Sequence, residues 1–271
     1  MKLTKIRVNN EEHIARVVDE RVYDLDITGR LEDYMEPEKL KKLENIEGKP
    51  VEDPEYVNLT EPKKIICVGW NYPKHAQGFK LDPPEYPVLF SKYSDALIPN
   101  NTVISVYPYD VSFDYETELV IVIGKDGFNI PKDKAFEHVF GYAVGNDVTC
   151  RKAQFQTSQW LVGKAWPNSG PCGPCVVTAD EFDPSDKSLK TYVNGELRQD
   201  GNTGEMMFKV DDIIAYASRY LPLSKGDLIF TGTPEGVAHE KKTGYLKDGD
   251  KIDSVIEGIG TLHNEFHIIE E

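Results

Sequence analysis

The stretch Phe113-Asp114-Tyr115-Glu116-Thr117-Glu118-Leu119-Val120-Ile121-Val122-Ile123-Gly124 alternates acids with apolar or neutral residues and then runs straight into five aliphatic positions. Read as a strand, its side chains point to opposite faces in turn, so Asp114, Glu116 and Glu118 share one face at steps of about 6–7 Å. Phe113, Tyr115, Thr117 and Leu119 take the other. Three carboxylates in a row beside an aliphatic strand repel one another, and burial raises their pKa values unless positive charge intervenes. A divalent cation supplies that charge, and an oxygen-only ligand set favours Mg²⁺, Mn²⁺ or Ca²⁺ over zinc. An exposed acidic edge strand that discourages aggregation is the competing reading, and the strand alone leaves both open.

About thirty residues downstream, Gly145-Asn146-Asp147-Val148-Thr149 sets another acid at a strand end, followed by Arg151 and Gln154. Further strands are expected at Ile65–Val68, Tyr142–Asn146, Cys175–Thr178, Asp227–Thr231 and Lys251–Ile256, with a tight hairpin at Asn194-Gly195. Helical stretches are fewer, over Lys132–Val139, Ala153–Trp160 and Val210–Arg219. Without regular alternation of strands and helices, the pattern predicts an α+β fold around a mixed, curved or barrel-like sheet. Residues 1–60 read as a small N-terminal domain with three short strands and a charged helix from Leu31 to Leu43. A Pro- and acid-rich linker separates it from a main domain over residues 61–271.

The chain has 271 residues and carries 46 acidic against 31 basic side chains, a formal charge of −15 that repels nucleic acid and anionic lipid. Its N-terminus turns polar too soon for a signal peptide, and the longest aliphatic run has five residues where a membrane span needs about twenty. A cytoplasmic protein is expected. Pro171-Cys172-Gly173-Pro174-Cys175-Val176 contains a thioredoxin-like tetrapeptide, but the following Val176-Val177-Thr178 reads as a strand. A reactive thiol of that type needs a helix N-terminus, so the pair is read as turn chemistry.

An ordered series of motifs resembles the fumarylacetoacetate hydrolase family over Ile65 to about Phe266. It comprises Gly69-x-Asn71-Tyr72-x-x-His75, Asp114-x-Glu116-x-Glu118-Leu119, Gly141-Tyr142 with Asn146-Asp147, and Arg151-x-x-Gln154. Lys164, Gly173-Pro174, Asn194-Gly195-Glu196, Thr231-Gly232-Thr233-Pro234-x-Gly236 and Gly249-Asp250 continue it. The resemblance implies that Glu116, Glu118 and Asp147 bind one Mg²⁺ or Mn²⁺ per chain. It also implies that Arg151, Gln154, Lys164 and Thr233 line the pocket of a small 2-oxo acid, and that His75 is the base on a lid segment. Lys164 doubles as a catalytic cation. A homodimer is implied as well.

The implied chemistry is cleavage of a C–C bond in an acylpyruvate-like 2,4-dioxo acid, with the ion stabilising the enolate. One departure bears on this: many members carry Glu three residues after the lid histidine, where this chain has Gly78. That substitution favours oxaloacetate decarboxylation or tautomerisation, or a 2-hydroxyhepta-2,4-diene-1,7-dioate isomerase-like reaction, unless Glu85 replaces the missing acid. A binding protein that keeps the ion only as a structural staple is the non-catalytic alternative.

Overall fold

Thr117–Ile123 lies in the middle of the largest sheet of a computed structural model, which describes residues 1–79, 82–107, 112–241 and 244–269. Val139–Asn146 flanks it antiparallel on one side and Leu228–Phe230 antiparallel on the other. The run Leu119–Ile123 is apolar throughout because both of its faces are buried. Leu119, Ile121 and Ile123 pack with Tyr142, Val177, Ile213 and Ile214, while Val120 and Val122 pack with Leu3, Leu31, Cys67 and Phe230. A strand covered on both faces has no use for alternation.

Among the described residues this sheet has twelve strands. From one edge it runs Lys49–Val51, Arg21–Thr28, Glu11–Val18, Lys2–Val8, Gly170–Thr178, Val139–Asn146, Thr117–Ile123, Leu228–Phe230, Ile65–Gly69 and Val88–Lys92, with two short strands off this path. Pairing is mixed, since Leu228–Phe230 and Ile65–Gly69 are parallel. A second sheet of five strands packs Glu196–Asn202, Ser188–Val193, Asp250–Ile256, Gly260–Ile268 and Thr102–Val106 side by side. Its hairpin turns at Asn194 and Gly195, whose φ angles of 52° and 78° are the positive values such a turn needs. The fold is α+β, as the strand-rich pattern indicates.

The first sixty residues join the main sheet directly, because Lys2 and Leu3 pair with Val177 and Val176. The Pro- and acid-rich segment at their C-terminal end is drawn in too: Lys49–Val51 pairs with the third strand and Glu55–Tyr56 with the first. The expected helix from Leu31 to Leu43 is two pieces, a 3₁₀ turn at Leu31–Tyr34 and an α-helix at Pro37–Glu44. Pro37 causes the break, since the residue before a proline is pushed to extended backbone, and Glu36 has φ −79° and ψ 139°.

Ala153–Trp160 also departs from expectation. Only Arg151–Gln154 is helical there, followed by a second short helix at Leu161–Lys164. Thr157 accounts for the interruption: its hydroxyl oxygen accepts from the Gln159 N–H at 3.1 Å, a local bond that competes with helix propagation. The Lys132–Val139 stretch is a 3₁₀ helix over Lys132–His138, and the third expected helix forms at Val210–Ser218.

Cys172 and Cys175 lie on the Gly170–Thr178 strand and belong to the cores on its opposite faces. Burial pushes both thiols up to about 12, the reverse of what a redox cysteine needs. All four cysteines are buried thiols outside any disulfide. In the native protein they should therefore react with a thiol reagent only as fast as the fold opens, and rapid labelling of two thiols without denaturant would contradict this packing.

Candidate active site

Backbone register brings the acids together. Thr117 pairs with Asn146, so Glu116 immediately precedes one strand where Asp147 immediately follows its antiparallel neighbour. The Asp147 N–H donates to the Glu116 carbonyl at 2.8 Å and extends the ladder by one step. Glu118, one residue inside the strand, completes a cluster with ligand oxygens all within 4.8 Å of one another, and all three residues are buried.

Asp114 does not share their face, contrary to the expectation of an unbroken strand. The strand stops at Asp114 and resumes at Thr117, because Phe113–Asp114 pairs separately with Thr149–Cys150. The Asp114 carboxylate accepts from the backbone N–H groups of Tyr115, Ala238 and His239 at 2.8–3.0 Å and from Arg151 Nε at 2.8 Å.

Three buried cations meet these carboxylates. Lys164 Nζ lies 2.6 Å from Glu116 Oε2 and 2.7 Å from Asp147 Oδ2. Arg151 spans Asp114 and Glu116, with its second contact at 2.6 Å. Lys92 pairs with Asp147 Oδ1 at 2.7 Å and also donates to the Ser169 carbonyl and hydroxyl and to the Lys164 carbonyl. Burial works against the charge on Glu116, but Arg151 and Lys164 outweigh it and hold the carboxyl below its ordinary range. Burial likewise opposes the charge on Lys164, and Asp147 and Glu116 more than offset it.

Glu118 differs. It accepts from the Gly232 N–H at 2.7 Å but forms no ion pair among the described residues. Burial first, then the charges of Asp147 and Glu116, push its carboxyl well above the usual carboxylate range. The four acids exceed the three cations by one charge, and that excess falls on Glu118. A divalent cation coordinated by Glu116, Glu118 and Asp147 would relieve it, so the donor set fits a hard, oxygen-loving ion.

His75 sits on the short helix Pro73–Gly78 and is buried. Its Nδ1 is paired with Glu240 Oε1, which leaves Nε2 for the cavity that His75 lines. The same carboxylate occupies the space beside Gly78: a Cβ there would come 2.9 Å from Glu240 Cδ. A carboxylate therefore stands beside His75 next to position 78, contributed by Glu240, whereas Glu85 is exposed. Glu240 in turn accepts from the Gly236 N–H at 3.0 Å.

All eight candidates, namely His75, Glu116, Glu118, Asp147, Arg151, Gln154, Lys164 and Thr233, line one cavity of about 20 Å³. Gln154 accepts from Arg151 at 3.1 Å, and its amide N–H₂ has no hydrogen-bond partner among the described residues. The Thr233 hydroxyl is already committed, donating to the Thr117 carbonyl and accepting from Gln199, both at 2.8 Å. Sequence reasoning missed Glu240 and Lys92. Gly78 is the one hint of the former, and no local pattern marks the latter.

Oxygen ligands for a hard cation, flanked by fixed positive charge and faced by a histidine–carboxylate pair, define a site for handling small anionic substrates. Residues 64–267 match the family described as Fumarylacetoacetate (FAA) hydrolase C-terminal, and the chain belongs to that enzyme family. An oxaloacetate tautomerase of Bacillus subtilis is 40% identical over 208 residues, 75% of this chain and 69% of that protein. A fumarylacetoacetate hydrolase from Exiguobacterium antarcticum superposes with a TM-score of 0.88 at 34% identity, covering 99% of this chain and all of that one. A fumarylpyruvate hydrolase from Pseudomonas aeruginosa, in complex with Mn²⁺ and pyruvate, aligns over 81% of this chain and 93% of that one, with a TM-score of 0.71 and 34% identity.

Calorimetric titration with Mn²⁺ should find one site per chain, lost in the double variant Glu116→Gln, Asp147→Asn. Because the ion competes with the proton that burial retains on Glu118, affinity should rise with pH above the ordinary carboxylate range and level off once that proton is gone. Glu118→Gln should bind more weakly and without this slope. A wild-type affinity independent of pH would contradict the assignment.

Proposed function

We propose that this protein is a divalent-metal-dependent enzyme that interconverts the keto and enol forms of a short 2-oxo dicarboxylic acid, oxaloacetate. The observation that carries this reading is the small size, about 20 Å³, of the cavity across which His75 faces the acid cluster. Room for one or two waters is on the order of 10–15 Å³ each, so the helix bearing His75 has to move for any substrate, and by least for a four-carbon one. Similarity to the Bacillus tautomerase supports the same substrate.

Keto–enol exchange moves one proton between C3 and the oxygen on C2. Tethered through Nδ1, His75 would carry that proton on Nε2, and Glu240 would stabilise the imidazolium while it does so. Mg²⁺ or Mn²⁺ held by Glu116, Glu118 and Asp147 would polarise the 2-oxo group and offset charge developing on its oxygen. Lys164 adds a fixed positive charge beside the same oxygens, pre-oriented by Glu116 and Asp147. Arg151 and the Gln154 amide suit a substrate carboxylate.

Hydrolysis of an acylpyruvate is the second reading. Glu240 favours it, because the histidine then has the charged partner that water activation requires. This partner also removes the ground for assigning the reaction from Gly78 alone.

The test follows enol-oxaloacetate decay, and deuterium entry at C3 in heavy water, with Mn²⁺-loaded protein. His75→Ala and Glu240→Gln should each slow the protein-dependent rate by about 10²-fold or more while keeping Mn²⁺ affinity. Gly78→Glu should also lose activity, since its side chain would collide with Glu240. Gly78→Glu combined with Glu240→Ala should recover part of it by restoring one acid to His75. Enol decay no faster than with Mn²⁺ alone, together with acylpyruvate turnover, would replace this reading by the second.

A further inference from the structure

We propose that Trp160 is a specificity-determining residue that confines the site to 2-oxo acids with a short C4 end by closing the cavity on its Lys164 side. The proposal rests on the reading of the site as a 2-oxo acid site. Trp160 directly precedes the helix Leu161–Lys164 and stands four residues before Lys164, so the two side chains lie on one helical face and both line the cavity. The benzo edge of the indole packs against Gly69, where a Cβ would come within 2.5 and 2.9 Å of its Cζ3 and Cη2. Any side chain at position 69 would push Trp160 away.

Trp70 buttresses it edge-on, with ring centroids 4.4 Å apart and planes at 82°. Phe90 does the same from the cavity side at 5.4 Å and 71°, and the Lys164 ammonium stands over Phe90 at 5.1 Å. Trp70 reaches this position through left-handed backbone, φ 51°, which a bulky residue adopts only where its surroundings impose it. Asn71 imposes it, donating to the carbonyls of Thr231 and Phe208 and accepting from the Phe208 N–H at 2.8–3.0 Å.

Both tryptophans are half-buried, so each presents one side to the cavity and another to solvent. The rings of this wall carry no charge to pair with a polar substituent, and with the indole in place a longer C4 end needs a larger displacement of the helix bearing His75. Removing the Trp160 indole would open the cavity toward solvent along Gly69.

Calorimetry with pyruvate and 2-oxohexanoate on Mn²⁺-loaded protein reads this gate without relying on turnover. Wild type should bind pyruvate at least about tenfold more tightly than 2-oxohexanoate, Trp160→Ala should bring the two within about threefold, and Trp160→Phe should fall between. Mn²⁺ affinity measured on each variant reports whether its fold is intact. Equal binding of the two acids by wild type, or a wild-type ratio in a Trp160→Ala protein that still binds Mn²⁺, would overturn the proposal. A collapsed ratio in Trp160→Ala, with no oxaloacetate turnover by wild type, would uphold the gate and count against the tautomerase reading alone. Failure of wild type to bind either acid would remove both.

Discussion

Everything at the site depends on one backbone hydrogen bond, from the Asp147 N–H to the Glu116 carbonyl. It fixes the point where two antiparallel strands part, and so places two carboxylates from residues thirty-one apart in sequence beside a third at Glu118. A slip of one residue in that ladder would turn Glu118 to the opposite face and separate it from Asp147. The apolar run that follows prevents such a slip, because Leu119–Ile123 fills a different core with each face. The hydrophobic half of the stretch thereby holds the acidic half in register.

Gathering these acids in a dry interior carries an electrostatic cost, and the pairing of Lys92, Lys164 and Arg151 with them is how the fold meets it. Each cation is held by more than its carboxylate. Lys92 is pinned by Ser169 and a carbonyl, and Arg151 by Asp114, which itself accepts several backbone N–H groups. Buried charges kept in such networks stay ionised and oriented, where a lone pair of opposite charges would gain little over its desolvation cost. The compensation stops one charge short, at Glu118, and that residue is where an added cation stabilises most.

Much of this was legible in the sequence because it is carried by local pattern. Acid spacing, the aliphatic run, the Asn194-Gly195 turn and the order of motifs all survive in the folded chain, and the eight residues they single out converge on one cavity. What escaped was non-local or depended on a single residue. Pro37 divided one expected helix and the Thr157 hydroxyl ended another, each overriding a favourable run. Asp114 looked like a third member of the acid face beside Glu116 and Glu118, since nothing in alternation reveals that its short strand pairs elsewhere. Glu240 lies 165 residues from His75, and only the close approach to Gly78 explains why a carboxylate from so far away fits beside the histidine.

That close approach belongs to a wider arrangement around Gly232–Glu240. Gly232 donates its N–H to Glu118, Thr233 donates its hydroxyl to the Thr117 carbonyl, and the N–H groups of Ala238 and His239 reach Asp114. One short segment thus contacts the acidic strand along its length, in the opposite chain direction. The helix Pro73–Gly78 and the residue after it rest on the same segment through Glu240 against His75, Glu235 against Lys74 at 3.3 Å, and the His239 ring stacked on Phe79 at 5.4 Å. The orientation of His75 and the geometry of the acid cluster are therefore set by one element and not two.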